Sequence, residues 1–388
     1  MEHGRDSLDR LIARFDPEVF DAPGGRARVR LAVDGGEPRD ALIEGESARL
    51  AAADGAEPDA LLRADAATWA RIASDIRGGM DAFRTGRLVV RRNLHLGVGF
   101  LAATSGMTEP GRLRFGRART ALGEISYLEA GVGEPVVLMH GLGATKASFL
   151  PTVAALAGSH RPIAIDLPGF GDSDKPLGAP YDARFFARWV EAFLDALELP
   201  RAHLVGNSMG GRVAIEVALR TPSRAERLVL LASSLAWLRP RRWAGFLRWV
   251  RPELGVIQPA PRPVVEGIVR RLIPGASDGW TAAGVDEFLR AYLTPRGRAA
   301  FYAAARNVYL EDPDGDNGFW PRLRRLEAPA LFVWGRRDTL VPIGFQRHVR
   351  EAIPRARHLE LDCGHVPQLE RPRQLHAAML AFLADPGR

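Results

Sequence analysis

Apolar and polar positions follow two rhythms along this chain, and the rhythm changes after roughly its first quarter. In "RVRLAVDGG", Val29, Leu31 and Val33 alternate with Arg28, Arg30 and Ala32, the period of a half-buried strand. "DALIEGESARLAAADGAEPDALLRAD" continues as strand-like pieces broken by Gly and Asp turns. "AATWARIASDI" then places Trp69, Ile72 and Ile76 on one helical face. "GGMDAFRTGRLVVRRN" predicts a Gly-Gly break, a short helix with Met80 and Phe83, and a strand over Leu88, Val89 and Val90. In "NLHLGVGFLAATSG", Leu94, Val98 and Leu101 share the face of a last helix. These pieces predict a small α+β domain over 1–105. "GMTEPGRLRFGRA", residues 106–118, has no clear period and is expected to be a linker.

From 119 to 388 the pattern becomes regular. Short apolar runs, "EISYLEAG", "PVVLMHG", "RPIAIDLPG", "AHLVGNS", "RLVLLAS", "PALFVWG" and "RHLELDCGH", predict strands. Helical patterns separate most of them. In "YDARFFARWVEAFLDALEL", for example, Phe185, Phe186, Val190, Phe193, Leu194 and Leu197 form a wide apolar stripe. Such βα alternation predicts a mainly parallel sheet covered on both faces, with the carboxyl ends of its strands converging on one crevice. About ninety residues separate "LVLLAS" from "PALFVWG", against the 2–6 of an ordinary connection, so an insertion is expected at about 235–322.

Composition narrows the picture only in places. The chain has 388 residues, 46% of them hydrophobic and 26% charged, which suits a two-domain globular protein. Net charge is +7, yet the arginines are dispersed and no nucleic-acid motif accompanies them, so nucleic acid is not an expected partner. Only two lysines occur, Lys146 and Lys175. The start, "MEHGRDSLDRLIARF", has no apolar core segment, and no stretch approaches the roughly 20 apolar residues of a spanning helix. One cysteine, Cys363, excludes an internal disulfide, and the expected compartment is the cytoplasm.

The chemistry sits at predicted strand ends. "HLVGNSMGGRVAIEVAL" moves from strand to helix through Gly206-x-Ser208-x-Gly210, a tight turn whose small neighbours leave the Ser208 hydroxyl open. Serine is a weak nucleophile at neutral pH and needs a base. Histidine, with an unperturbed pKa of about 6.5, both accepts and returns a proton, and a carboxylate orients it. "LFVWGRRDTLVP" offers Asp338 and "LELDCGHVPQLERP" offers His365. Asp362 is a rival acid, only three residues before His365.

The order Ser208, Asp338, His365, with "MHGLGATKASF", "DLPGFGDSDKP", "WGRRDTLVP" and "GHVPQLERP" in register, resembles the α/β-hydrolase fold family over about 114–388. The resemblance implies a catalytic triad, an oxyanion hole made by the amides of Met209 and Leu142, and a helical cap at about 235–322. His140 and Asp166 match structural positions of the family's loops. No metal or organic cofactor is expected. The stretch "LLRADAATWARIASDIRGGMDAFRTGRLVVRRNLHLGVGFLAA" resembles sterol-carrier-protein-type lipid-binding domains. That likeness implies an apolar cavity, although Trp69, Ile72, Phe83, Val98 and Leu101 would equally fill a packed core. In "AWLRPRRWAGFLRWVRPELG", Trp237, Leu238, Trp243, Phe246, Leu247, Trp249 and Val250 mix with arginines, which suits either a cap helix or the interface of a lipid surface.

The reading that follows is a serine hydrolase of carboxylic esters with hydrophobic acyl groups, its partner a small ester or lipid. Two alternatives stand beside it. One is a carbon–carbon bond hydrolase of ring-cleavage products, which commonly carries tryptophan after the catalytic histidine, where this chain has Val366. The other is a lipid-binding or transfer protein with a hydrolase scaffold.

Overall fold

The computed structural model describes residues 2–74, 82–83, 85–237, 261–275 and 278–385, and the chain divides into two units. The first holds Met1–Arg117 with Ser277–Arg290, and the second holds Ala118–Ala276 with Ala291–Arg388.

The first unit is a sheet of β1 (Arg26–Val33), β2 (Arg39–Glu44), β3 (Ser47–Ala52), β4 (Ala60–Ala64) and β5 (Leu88–Arg91), in the order β3-β2-β1-β4-β5. β1 and β4 run parallel and the other pairs antiparallel. Alternation in β1 holds over most of the strand: Val29 and Leu31 are buried and Val33 is half-buried at its end, while Arg28 and Arg30 reach across to Asp40 at 2.8 and 2.7 Å. On the Ala66–Ser74 helix, Trp69 and Ile72 are buried, and the indole N–H of Trp69 donates to the Ala32 carbonyl at 3.0 Å. The Leu94–Ala103 helix differs from the single apolar face expected. It is buried almost all round, including His95 and Gly97, because apolar and small residues surround its whole circumference, and Val98, expected on the buried face with Leu94 and Leu101, is the residue left half-buried. A helix at Glu2–Ile12, burying Leu8 and Leu11, was not anticipated. Ile76 and Met80 lie outside the described residues.

The expected insertion contributes to this first unit. Within the Asp278–Tyr292 helix, Asp286 accepts from Nε of Arg91 at 2.7 Å and from the Arg92 amide at 2.9 Å. Glu287 accepts from the Leu94 amide at 2.7 Å, and Phe83 meets Trp280 edge-on at 5.0 Å. No local sequence signal announces this, since the partners lie far apart in the chain.

The second sheet has eight strands, β6 (Arg114–Thr120), which begins four residues before the boundary between the units, β7 (Gly123–Glu129), β8 (Pro135–Met139), β9 (Arg161–Ile165), β10 (Ala202–Asn207), β11 (Ala225–Leu231), β12 (Ala330–Gly335) and β13 (Arg357–Leu361). Its order is β13-β12-β11-β10-β8-β9-β7-β6. All pairs from β13 to β9 are parallel, and β7 joins β9 antiparallel. The segment expected to be a linker is strand from Arg114 onward. Gly and Arg dilute its alternation, leaving Phe115 and Ala118 as the buried positions. The central strands are buried on both sides, so they read as continuous apolar runs. The Ala183–Ala196 helix packs Phe185, Phe186, Val190, Phe193 and Leu194 into the core, as its stripe predicts.

Within the insertion the described helices are Arg262–Leu272, Asp278–Tyr292, Pro295–Tyr309 and Phe319–Leu323. Leu238, Trp243, Phe246, Leu247, Trp249 and Val250 lie outside the described residues. Trp237 is described and meets Phe345 edge-on at 4.8 Å. Among the described residues no helix is long and apolar enough to cross a membrane.

Candidate active site

β10 ends at Asn207, and the chain enters the Met209–Arg220 helix through Ser208 in one step. Ser208 has φ 51° and ψ −114°, a backbone conformation unfavourable for a residue with a side chain. The turn closes only because its neighbours are small. A β-carbon on Gly206 would collide with the Gly210 carbonyl, and one on Gly210 with the Met139 carbonyl of β8. The strain is held by ladder bonds on both sides: the Ser208 amide donates to Leu231 and its carbonyl accepts from Ser234, each at 2.9 Å.

Asp338 follows β12 and His365 follows β13, both at carboxyl ends in the same parallel sheet. Nδ1 of His365 and Oδ2 of Asp338 are 2.8 Å apart, with the carboxylate wholly buried. The other oxygen of Asp338 accepts the amides of Leu340 and Val341 at 2.8 and 3.0 Å, which fixes the carboxylate plane. Asp362, the rival acid, is exposed and pairs with Arg337 at 3.0 Å.

Several contacts fix the histidine loop. The side-chain amide of Asn207 donates to the His365 carbonyl at 3.0 Å, tying this loop to the residue before Ser208. Glu370 brackets His365, accepting from the amides of Gly364 at 2.9 Å and Val366 at 3.2 Å. The His365 amide donates to the carbonyl of Leu272, at the end of the Arg262–Leu272 helix, at 2.9 Å.

Ser208 Oγ itself lies 3.3 Å from Ser234 Oγ and 3.3 Å from the Tyr309 hydroxyl. Its hydrogen bond to His365 is not made in this arrangement. Such bonds are often long before substrate binds. Ser234 and Tyr309 were not anticipated as site residues. Ser233 and Ser234 stand just past the end of β11, a strand end that carries no acid. Tyr309, at the end of its helix, gives no sequence signal at all.

The backbone donors come next. Met209 is the first residue of its helix, so its amide has no helical carbonyl to bond. The loop carrying Leu142 runs against the elbow, since a β-carbon on Gly141 would stand 3.3 Å from that of Ser208. His140 shapes this loop. Its Nε2 accepts from the Leu167 amide at 3.0 Å, which leaves the hydrogen on Nδ1 to donate to the Gly141 carbonyl at 2.8 Å. Burial lowers its pKa, so the ring stays neutral and takes no part in proton transfer.

Asp166 braces the same loop from below. Burial works against its charge, but the Lys146 ammonium at 2.5 Å, together with the Asp172 amide and His140, holds the carboxyl below its usual range. It also accepts the amides of Lys146 and Asp172 at 2.7 and 2.9 Å. Cys363 is buried, and burial pushes its thiol up to about 12, so it is no competing nucleophile.

At the opposite ends of the strands, Glu134, His160 and His203 form a second polar cluster with donor atoms within 4.8 Å of one another. Tetrahedral zinc with ligands at about 2.1 Å needs donors roughly 3.4 Å apart. Glu134 and His203 stand 3.2 Å apart as an ordinary hydrogen-bonded pair.

The comparisons with known proteins agree with this architecture. The sequence pattern of the alpha/beta hydrolase fold family matches residues 134–372. A 2-hydroxy-6-oxononadienedioate/2-hydroxy-6-oxononatrienedioate hydrolase of Paraburkholderia xenovorans (strain LB400) is 30% identical, over 72% of this chain and 98% of its own. Among solved structures, a bacterial membrane phospholipase A superposes with a TM-score of 0.56 at 30% identity, covering 70% of this chain and 86% of that one. A meta-cleavage product hydrolase of Pseudomonas fluorescens IP01 gives a TM-score of 0.57 at 25% identity, over 69% and 97%. The chain belongs to the α/β hydrolase fold family.

Proposed function

We propose that the protein is a serine hydrolase in which Ser208 attacks a carbonyl carbon. His365 takes and returns the proton, Asp338 orients His365, and the amides of Met209 and Leu142 bind the oxyanion. The observation that carries this reading is the buried 2.8 Å pair of Asp338 and His365, on a loop hydrogen-bonded to the residue before a strained serine. Attack gives an acyl-enzyme, which water then cleaves.

For the bond broken, carbon–carbon hydrolysis of ring-cleavage products is favoured by the likeness to a 2-hydroxy-6-oxononadienedioate hydrolase and a meta-cleavage product hydrolase. Ester hydrolysis with a hydrophobic acyl group is the second reading. It is supported by Val366 after His365 and by the likeness to a phospholipase. In both, the leaving fragment departs with the electron pair and takes the proton held by His365.

Two assays test this. A fluorophosphonate probe should label the wild-type protein and not Ser208→Ala; a wild type left unlabelled removes the serine mechanism. Supplying a 2-hydroxy-6-oxodienoate and a series of 4-nitrophenyl esters then decides the bond, by which substrate has the larger kcat/KM. For the first unit, the sequence resemblance supports a lipid-binding role, with Trp69, Ile72, Phe83 and Leu101 supplying buried apolar surface.

A further inference from the structure

Ser208 Oγ has two neighbours that acylation does not need. The Tyr309 and Ser234 hydroxyls each stand 3.3 Å from it. A serine hydroxyl offers one hydrogen and two lone pairs. In the acyl-enzyme Oγ is bonded to the acyl carbon and keeps two lone pairs, one for the proton that His365 returns and one open to a hydrogen-bond donor from Tyr309, with Ser234 beside it.

The tyrosine is fixed there by construction. Two residues beyond it, Glu311 grips Arg212 on the nucleophile's own helix, at 2.6 Å to Nε and 2.5 Å to Nη2. Arg212 is buried, shares Glu216 at 2.8 Å, and lies over the Phe319 ring at 5.0 Å. Arg322 closes the cluster by pairing with Glu216 at 2.5 Å. The end of the Pro295–Tyr309 helix is therefore clamped to the Met209–Arg220 helix by a bidentate, partly buried ion pair. Its tyrosine moves with the nucleophile.

We propose that Tyr309, with Ser234, is a catalytic residue of deacylation, donating a hydrogen bond to Ser208 Oγ as that atom leaves the acyl group. The proposal rests on Ser208 being the nucleophile. In the second half-reaction water adds to the acyl carbon and gives a proton to His365. The carbon–Oγ bond then breaks, Oγ keeps the electron pair, and His365 returns the proton to it. Tyr309 keeps its own proton throughout. Charge gathers on Oγ as that bond breaks, whereas the ester oxygen of the acyl-enzyme is a weak acceptor. A donor aimed at Oγ thus favours the departing serine over the acyl-enzyme. Acylation gains little from it, because the free serine hydroxyl already makes that contact before attack. Deacylation is common to every substrate that delivers the same acyl group, so this role is the same for either bond type.

The test is Tyr309→Phe, assayed with 4-nitrophenyl acetate, with Ser234→Ala as a second variant that leaves the tyrosine in place. Expected are a fall of about tenfold in kcat, a parallel fall in KM and kcat/KM within about threefold of wild type. A burst of one nitrophenolate per protein should appear, with the acetyl group found on Ser208 by mass spectrometry. Equal losses in kcat and kcat/KM in both variants, with no burst, would overturn the proposal and leave Tyr309 a packing residue. Absence of fluorophosphonate labelling of wild-type Ser208 would be a different failure: it removes the nucleophile, and this inference with it.

Discussion

At the scale of single residues, the site is a set of polar atoms whose partners leave little choice. Asp338 spends one oxygen on the Leu340 and Val341 amides and the other on His365 Nδ1. Asparagine at 338 keeps a carbonyl for the two amides but turns an N–H₂ toward the ring, which forces the wrong tautomer. Asp338→Asn should therefore fold normally, by circular dichroism and melting, while turnover falls by about 10⁴-fold. A melting temperature that falls together with activity would mean that the carboxylate's main task is structural. His140 shows the opposite arrangement, a ring held neutral by burial and by a backbone amide that needs its lone pair. Two histidines at strand ends in one sheet thus differ: one is paired with a buried carboxylate and the other braces a loop.

At the scale of elements, the strands of the second unit were legible because burial on both faces writes them as continuous apolar runs, and the Ala183–Ala196 helix because its stripe is wide. Ser208, Asp338 and His365 were legible for the same reason, each standing just past a readable strand. β6 was not, since arginine and glycine hide its alternation. Nor were Tyr309 and Ser234, whose role depends on where an insertion helix ends against the elbow.

A second element-scale consequence lies in the Pro372–Leu383 helix, where His376 is buried against Thr152 at 3.1 Å. Burial lowers its pKa to about 4. Above pH 6.5 the ring is neutral folded or unfolded, and its ionisation adds nothing. As pH falls from about 6.5 toward 4, the unfolded chain takes up a proton that the folded one refuses, so stability declines. Urea unfolding at pH 7 and pH 5 should show wild type losing on the order of 1–2 kcal/mol more than His376→Gln. Equal losses would mean that the ring titrates normally when folded.

At the scale of the whole molecule, the two units are interleaved in the chain: residues 277–290 belong with the first although they are encoded inside the second. Their attachment is polar and buried, with Asp286 collecting Arg91 and the Arg92 amide, and Glu287 the Leu94 amide. Asp286→Ala leaves those donors without their acceptor and should lower stability by about 2–4 kcal/mol. Hydrogen exchange should show the loss first in β5 and the Leu94–Ala103 helix; an unchanged melting curve would show that the pairing contributes nothing. The interleaving also has a consequence in time. A ribosome adds about 5–20 residues per second, so the strands of the first unit emerge and then wait roughly 10–30 s, while residues 118–276 are made, for the helix that completes them. Throughout that interval a nascent chain carries an unfinished sheet in which the Arg91 side chain and the amides of Arg92 and Leu94 await Asp286 and Glu287. Synthesis order therefore makes the unit that begins the chain one that cannot finish folding before much of the hydrolase has been made.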